Sequence, residues 1–385
     1  MAVGLQVRLF DDNLTSPTLI DDLTDRITNL VFSTALNGGF KQATFKLNMS
    51  FDQAWQWLSR EGRRGYHFYR FVIYEGHEIV WEGRVSNIKL NVTGANHGIM
   101  VTCLGYWAAT RDQLYSDDDG SRTDWTSGSG HQIDDIIKEL LTSECPDIST
   151  DQSNIAAGSR DLAGINLSDR LYPQDYINRL TELSDDDGSI WFFAIWENRV
   201  PYLFKRTVTA VDWAIYLENV VDLTLEQSVV TLRNAVIPVV GGTEGTTQTD
   251  TTGLALYPRR EIKVDLQAGT NADTQADSAK MKVAEMASPR QQQGFNIVGR
   301  IFASTAANTG GRLEEAPLWR VRAGDVLRIQ DLVPSSAATP ALDDLRTFYV
   351  MGTNYDADRN LLTVQPDRRK KKLTTILGNL GTVQT

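Results

Sequence analysis

The stretch that says most about the fold is LNGGFKQATFKLNM, residues 36–49. Its Asn37-Gly38-Gly39 segment is typical of a turn. After the turn, the apolar residues Phe45, Leu47 and Met49 alternate with polar neighbours, which is the spacing of a strand with one buried face. The chain is therefore expected to build part of its core from β-sheet.

A short helix is predicted directly after this strand. Its four apolar residues follow the i, i+3, i+4, i+7 spacing of an amphipathic helix and are expected to face the core: Phe51, Ala54, Trp55 and Leu58. Further strands with short turns between them are predicted at 68–74, 78–81, 88–92 and 99–103. We expect residues 1–110 to form a first β-barrel-like domain that contains one helix.

The middle block, residues 111–220, has a different periodicity. Isoleucine and leucine at helical spacing predict a helix over 133–141. A second helix is predicted from Pro173, because proline is favoured at the first helical position. Two strands, 190–196 and 199–205, then form a predicted hairpin. The block is expected to be an acidic α+β insert domain.

Strand patterns return in residues 221–385. One helix interrupts them, with a predicted buried face of Ala276, Ala279, Val283 and Met286. Residues 241–253 are expected to be a loop. This block is predicted to be a second β-barrel-like domain with one helix and a basic C-terminal tail. The predicted fold class is α+β, mainly β: two small β-barrel-like domains with an intervening α+β insert.

The charge is unevenly distributed along the chain. The net charge is −11, yet residues 111–230 alone hold 23 acidic and 9 basic side chains. Such a block repels phosphate backbones and does not hold nucleic acid by counterion release. It is either a solvated face that keeps the protein soluble or a surface that does not retain passing DNA.

Motifs that carry known chemistry are missing from the sequence. His77-Glu78 does not continue as His-Glu-x-x-His, because Trp81 occupies the last position. The chain also lacks a Gly-x-Ser-x-Gly elbow and a phosphate-binding P-loop. Two Ser-Asp-Asp-Asp-Gly-Ser runs, 116–121 and 184–189, lack the glycine and glutamate spacing of a calcium loop and are interpreted as solvated turns. We predict no catalytic residues, cofactor-binding residues, metal ligands or cofactors.

Composition excludes several other classes. Two cysteines, Cys103 and Cys145, cannot form a disulfide framework. No apolar run approaches the ~18 residues of a membrane span. The N-terminus lacks the basic and apolar regions of a signal peptide.

Two further features have more than one interpretation. Five aromatic residues are candidates for a sugar-binding platform but are interpreted mainly as core: Trp191, Trp196, Tyr202, Trp213 and Tyr216. The basic run Arg368–Lys372 is a solvated terminus, a site for nucleic acid or an acidic partner, or a segment that pairs with the acidic middle of a neighbouring subunit.

The sequence resembles the baseplate hub proteins of tailed phages, also called tail-tip or tail-associated proteins. The residues that carry the resemblance are Leu36–Leu47, Phe51–Leu58, Val80–Val85, Val101–Trp107, Arg322–Leu327, Tyr355–Asp356 and Leu361–Pro366. They lie in both outer blocks of the chain and are loose patterns rather than a catalytic signature.

The resemblance implies a structural, non-enzymatic protein of the virion tail tip, assembled in the host cytoplasm. It implies a homotrimeric ring that closes the tail tube, in which two barrel-like domains per chain match a sixfold tube and DNA passes without specific binding after opening. The implied partners are the tail tube or distal tail protein ring, the tape measure protein, and tail fibre or receptor-binding proteins.

Two alternatives remain open from the sequence. One is an enzyme that degrades cell wall or polysaccharide, with carboxylates at Asp117–Asp119 or Asp185–Asp187. The other is a host-receptor binding module that uses the tryptophan-rich segment 191–213.

Overall fold

The structure is a computed structural model. It describes residues 4–11, 13, 15–59, 65–93, 96–116, 125, 131–159, 162, 167, 170–183, 185, 190–205, 211–224, 232–266, 276, 279–280, 282–283, 286, 294–303, 314–332 and 346–367. Within these residues the chain is mainly β with a few helices, which confirms the predicted fold class at this level.

The strands are β1 (Leu5–Phe10), β2 (Leu19–Asp22), β3 (Ile27–Ala35), β4 (Gly38–Asn48), β5 (Arg70–Glu75), β6 (Glu78–Thr93), β7 (Asn96–Leu104), β8 (Trp191–Ile195), β9 (Pro201–Lys205), β10 (Trp213–Tyr216), β11 (Val220–Val221), β12 (Ala235–Val240), β13 (Thr243–Glu244), β14 (Gln248–Thr249), β15 (Glu261–Leu266), β16 (Phe295–Val298), β17 (Ile301–Ala303), β18 (Glu314–Ala316), β19 (Val326–Gln330), β20 (Thr347–Asp356) and β21 (Leu361–Pro366). The α-helices are α1 (Phe51–Leu58), α2 (Ile133–Glu144), α3 (Pro173–Thr181) and α4 (Thr251–Leu256).

Two runs of strands make most of the sheet. The N-terminal run is antiparallel throughout, in the order β2-β1-β5-β6-β7-β4-β3. The C-terminal run has the order β11-β16-β21-β20-β19-β10-β17-β18, in which only β19 and β10 are parallel. β10 thus pairs with the C-terminal run although it lies within residues 111–220.

The two runs are joined by hydrogen bonds. β3 pairs antiparallel with β20, so Ala35 lies opposite Gly352 and Val31 opposite Asp356. No strand pairing among the described residues closes either run into a complete barrel, and the two separate barrels expected from the sequence are not confirmed. The spacing of apolar residues predicts where strands occur, but it does not specify which strand is the partner.

The two runs also share one hydrophobic core. Residues of β4, β5, β16 and β20 all contribute to it, and the rings of Phe45 and Phe71 stack with centroids 4.6 Å apart. In the C-terminal run, the rings of Phe295 and Phe348 meet edge to face at 5.3 Å. Because burial of apolar surface is the main stabilising contribution, this core holds both ends of the chain together.

The middle block has a core of its own. α2 and α3 pack against β8, and their buried residues match the predicted helical faces: Ile133, Ile136, Ile137, Leu140, Leu141, Tyr176, Ile177 and Leu180. Pro173 is at the start of α3, as predicted. The hairpin β8–β9 attaches the block to the sheet, because β8 runs parallel to β4 at Gly39. Gly39 has a φ of 76°, and a Cβ there would lie 2.1 Å from the Ile195 carbonyl oxygen.

A third, smaller core confirms part of the predicted helix in the last block. Ala279 and Val283 are helical and buried against Val236 of β12. The expectation of a loop over 241–253 is wrong in part. β13 and β14 each pair with β12, and α4 begins at Thr251. Short strands of polar residues carry no periodic signal, because such strands bury little side chain.

The face that α1 buries differs from the prediction. Ser50 caps the helix in a capping box with Gln53, but the buried residues are Ala54 and Trp57. Trp57 packs on Tyr66, with ring centroids 4.9 Å apart. Phe51 and Trp55, expected in the core, are exposed instead. The helix has large apolar residues on two sides, so periodicity alone does not decide which side packs on the sheet.

Candidate assembly surfaces

Each run of strands ends in an edge strand with exposed apolar side chains. Among the described residues β2 pairs only with β1, and its Leu19 is exposed. Among the described residues β11 pairs only with β16, and its Val221 is also exposed. An open edge offers backbone N–H and C=O groups to a further strand. The edge strands β2 and β11 can therefore bind a second protein chain.

A second candidate surface is the α1 aromatic patch, which consists of Phe51 and Trp55. Their side chains are 41% and 52% exposed, and the two rings stack at 6.2 Å. The capping box fixes the start of the helix, and Trp57 anchors the opposite side in the core. Covering a large apolar side chain gains roughly 1.5–3 kcal/mol, so the α1 aromatic patch can contribute to binding.

The insert is fixed to the N-terminal run by a buried ion network. Glu82 is fully buried in β6, and its Oε2 accepts a hydrogen bond of 2.6 Å from Nη2 of Arg70. Its Oε1 accepts a second, also 2.6 Å, from the backbone N–H of Arg199 in the turn of the β8–β9 hairpin. Burial raises the pKa of the Glu82 carboxyl, and the Arg70 guanidinium opposes that rise. The Arg199 guanidinium lies 4.5 Å from the centroid of the Tyr106 ring.

A neighbouring ion pair strengthens the same junction. Arg84, also in β6, donates two hydrogen bonds to the carboxylate of Asp112 and one of 3.4 Å to Asp147. Both acids belong to the middle block, so the negative insert is held by positive side chains of the near-neutral N-terminal run. Charge-assisted, bidentate pairs of this kind fix geometry as well as adding energy.

An open cleft lies where the N-terminal run, the insert and the C-terminal run meet. It has a volume of about 400 Å³. The β5–β6 turn supplies Glu75 and Glu78, the insert supplies Glu197, and the C-terminal run supplies Asp212 and Asp325. We call this feature the acidic cleft.

Ion pairs bridge the acidic cleft. Arg320 contacts Glu75 at 2.8 Å and Glu78 at 3.2 Å, and Arg322 pairs with Glu197. Asp325 accepts hydrogen bonds from the Arg322 backbone N–H and from the Trp213 indole N–H. Burial raises the pKa of Asp325 from 3.8 to about 6. The cleft therefore contains a carboxyl group whose pKa lies about two units above that of an ordinary aspartate.

The aspartate runs do not form a metal site in the described residues. Asp185 is fully buried, forms an ion pair with Lys205 and accepts a 3.1 Å hydrogen bond from the Ser159 backbone N–H. It therefore holds the insert together, and is not in the solvated turn that the sequence predicted. Asp117–Asp119, Asp186 and Asp187 lie outside the described residues. In the part of the chain that the structure describes, no group of three His, Cys, Asp or Glu side chains could hold a metal ion.

The five aromatic candidates for a sugar platform are dispersed. Trp191 is buried in the core of the insert, and Trp196 is buried against Phe40, with ring centroids 5.1 Å apart. Trp213 donates its indole N–H to Asp325 at 2.8 Å, and the ring of Tyr216, the last residue of β10, meets that of Phe302 with centroids 5.4 Å apart. Trp191 and Trp196 are core residues, which was the favoured interpretation.

Sequence reasoning missed the buried network of Arg70, Glu82 and Arg199. The predicted strand 78–81 stops one residue before Glu82, so the sequence analysis did not place this carboxylate on a strand. Arg199 could not be found from local spacing either, because its partner Glu82 is 117 residues away in sequence. The basic run Arg368–Lys372 lies outside the described residues. No helix of the described residues is long and apolar enough to cross a membrane.

Comparisons with known proteins show what the fold described above is similar to. No protein-family model matches the chain, and no curated protein sequence matches it. Two solved structures are similar over nearly their whole length. One is the 43 kDa tail protein of prophage MuSo2 from Shewanella oneidensis, with a TM-score of 0.57 and 13% identity over 94% of this chain and 98% of that one.

The other is the tail protein from Neisseria meningitidis MC58. It has a TM-score of 0.58 and 10% identity over 95% of this chain and 97% of that chain. The resemblance to phage tail proteins that the sequence suggested is therefore confirmed for the fold. At such low identity the likeness concerns backbone architecture, and functional residues are not transferred.

Proposed function

We propose that this protein is a structural subunit of a phage-type tail, at the baseplate hub or tail tip of the virion, and not an enzyme. The observation that carries the proposal is the likeness to two tail proteins, which extends over 94% and 95% of this chain. The proposed divisions are 1–110, 111–220 and 221–385, the outer two barrel-like and the middle one an acidic insert.

The proposed assembly is a homotrimeric ring that closes the tail tube. A trimer that meets a sixfold tube needs two comparable surfaces per chain. The two runs of strands supply such a pair. Their apolar edges, β2 in one run and β11 in the other, are the proposed contacts between neighbouring protomers of the ring. The α1 aromatic patch is then available to a neighbouring component: the tail tube or distal tail ring, the tape measure protein, or a tail fibre or receptor-binding protein.

The proposed ring allows DNA to pass after opening without binding it specifically. Residues 111–230 hold 23 acidic and 9 basic side chains, so a lumen bordered by this block would repel phosphates. The fixed attachment of the insert through Glu82 and Arg84 is consistent with such a role, because it keeps the negative charge in one place.

The mass of the full chain in solution tests the assembly. Light scattering coupled to size exclusion is expected to give three times 42.9 kDa, and electron microscopy is expected to give a ring. Val221→Lys and Leu19→Lys place a charge on the two apolar edges and are expected to shift the trimer to monomer. Leu114→Lys changes an equally exposed apolar residue of the insert and is the matched control.

The hub proposal and the assignment of its interface are contradicted by different results. A parent chain that stays monomeric at high concentration, with no ring in the images, contradicts the hub. Equal dissociation by all three variants, or by none of them, contradicts the assignment of the ring interface to β2 and β11.

A further inference from the structure

The buried network around Glu82 holds more positive charge than negative charge. Glu82 supplies its carboxylate, which faces two guanidinium groups, those of Arg70 and Arg199. All three residues are buried: Glu82 is fully enclosed, Arg199 is 2% exposed and Arg70 is 8% exposed. One negative charge against two positive charges leaves a surplus positive charge away from water. Such a surplus is costly unless a counter-charge lies beside it.

The guanidinium of Arg199 has no ion-pair partner among the described residues. Oε1 of Glu82 accepts from the backbone N–H of Arg199, and Oε2 accepts from Arg70. The Arg199 guanidinium lies instead over the ring of Tyr106, 4.5 Å from its centroid. Its Nε is buried and has no acceptor within the described part of the chain. Because a guanidinium carries five N–H donors, this environment leaves hydrogen-bonding capacity unused.

Other donors close to Arg199 are also unsatisfied. Nε of Arg70 is buried and, among the described residues, has no acceptor. The hydroxyl of the buried Tyr106 makes no hydrogen bond to a described residue. Burial raises the pKa of Tyr106, and the guanidinium groups of Arg199 and Arg70 oppose that rise, so both charges lie near the hydroxyl. Buried donors of this kind are normally satisfied by a bound acceptor.

The acids of the neighbouring ion pair do not remove the surplus. Asp112 and Asp147 both bind Arg84. Their side chains are 41% and 46% exposed, whereas Arg199 is enclosed. Water screens the charge of an exposed carboxylate much more strongly than that of a buried one. The buried groups therefore still need a counter-charge of their own.

The backbone conformation of Arg199 indicates that its side chain matters at this position. Its φ is 63°, and that of the preceding Asn198 is 57°. This left-handed region favours glycine, because a Cβ makes it strained. Residues held in such strained conformations cluster at binding sites, where the surroundings keep them in place. The chain nevertheless places an arginine here and directs its guanidinium onto Tyr106.

We propose that the buried network binds one small monovalent anion, such as chloride, beside Arg199, Arg70 and Tyr106. The anion would accept hydrogen bonds from the two guanidinium groups and the hydroxyl, and it would neutralise the surplus charge. Arginine suits such a site because its guanidinium is weakly hydrated and always charged. Since Arg199 is enclosed, the ion is taken up as the insert packs on the N-terminal run. The proposal does not depend on the tail function.

Unfolding equilibria of the full chain at constant ionic strength test the proposal. Sodium chloride replaces sodium gluconate stepwise, because gluconate is too large for an enclosed site. An ion that binds only the folded chain lowers the equilibrium constant of unfolding in proportion to its concentration, once that exceeds the dissociation constant. We expect a decrease of up to about tenfold for a tenfold rise in chloride. Arg199→Met should lose this dependence.

Arg322→Met is the matched control. Arg322 pairs with Glu197 of the same β8–β9 turn, but its side chain is 46% exposed. This variant should keep the chloride dependence of the parent chain. A dependence that is absent from the parent, that persists in Arg199→Met, or that both variants lose equally would overturn the proposal.

A second measurement locates the ion in the parent chain and does not require that a variant folds. Protein prepared and crystallised in sodium bromide should show an anomalous-scattering peak beside the Arg199 guanidinium and the Tyr106 hydroxyl. A water molecule at that place without a bromide peak, or bromide only on the protein surface, would overturn the proposal.

Discussion

Replacing Glu82 with Gln should lower the free energy of unfolding far more than the loss of one exposed charge would. The carboxylate is fully buried, and the Arg70 side chain that it pairs with is only 10% exposed. In Glu82→Gln one oxygen can still accept from the Arg199 backbone N–H, but an amide N–H₂ group would then face the Arg70 guanidinium. Removing one partner of a buried ion pair typically costs about 3–5 kcal/mol, because the other charge stays buried.

The free energy of unfolding, measured by denaturant titration, checks this expectation. Glu78→Gln in the same strand is the control and should change stability by less than about 1 kcal/mol, since that side chain is exposed. Arg70→Met combined with Glu82→Gln should recover part of the loss, as both charges are then absent. A loss below about 1 kcal/mol for Glu82→Gln would refute the idea that this network fixes the insert to the sheet.

Three further changes probe the fold. Asp325→Asn should remove a pH dependence: since burial raises the pKa of Asp325 from 3.8 to about 6, the folded chain binds the extra proton, and the free energy of unfolding should fall by about 3 kcal/mol as pH rises from about 3 to about 7. An unchanged pH profile in the variant would contradict this. Thr34→Val leaves the backbone N–H of Ala323 without its 2.9 Å acceptor, so thermal unfolding should show a loss of about 1–3 kcal/mol, and Thr34→Ser should show much less. Gly105→Ala would put a Cβ 1.8 Å from the Phe40 carbonyl oxygen; we expect a loss of about 3 kcal/mol or more, and a chain as stable as the parent would be incompatible with that contact.

Local periodicity predicted the elements well where one face is clearly apolar. β4, α2, α3 and the β8–β9 hairpin all lie where the pattern places them. The prediction of the buried face of α1 was wrong. Either Trp57 or Trp55 could pack into the core, and only the shape of the sheet beneath the helix decides between them. A sequence pattern describes one helix at a time and does not include the surface on which the helix packs.

Most of the candidate site could not be predicted from the sequence. The acidic cleft combines Glu78, Glu197 and Asp325, which are far apart in the chain and meet only through the fold. Buried Asp185 forms an ion pair with Lys205, so a residue that looked like part of a solvated turn stabilises the insert instead. Charged residues have no fixed spacing signal, and their roles follow from which partners the fold provides.

The pairing of β3 with β20 cannot form until most of the chain has been translated. Thr34 and Thr353, which share a buried 2.6 Å hydrogen bond, are 319 residues apart. At the usual 5–20 residues per second, a ribosome needs roughly 15–60 s to add the distant strand after the first has emerged. During that interval β3 of the nascent N-terminal half lacks its β20 partner, so its open edge can pair with a second nascent chain.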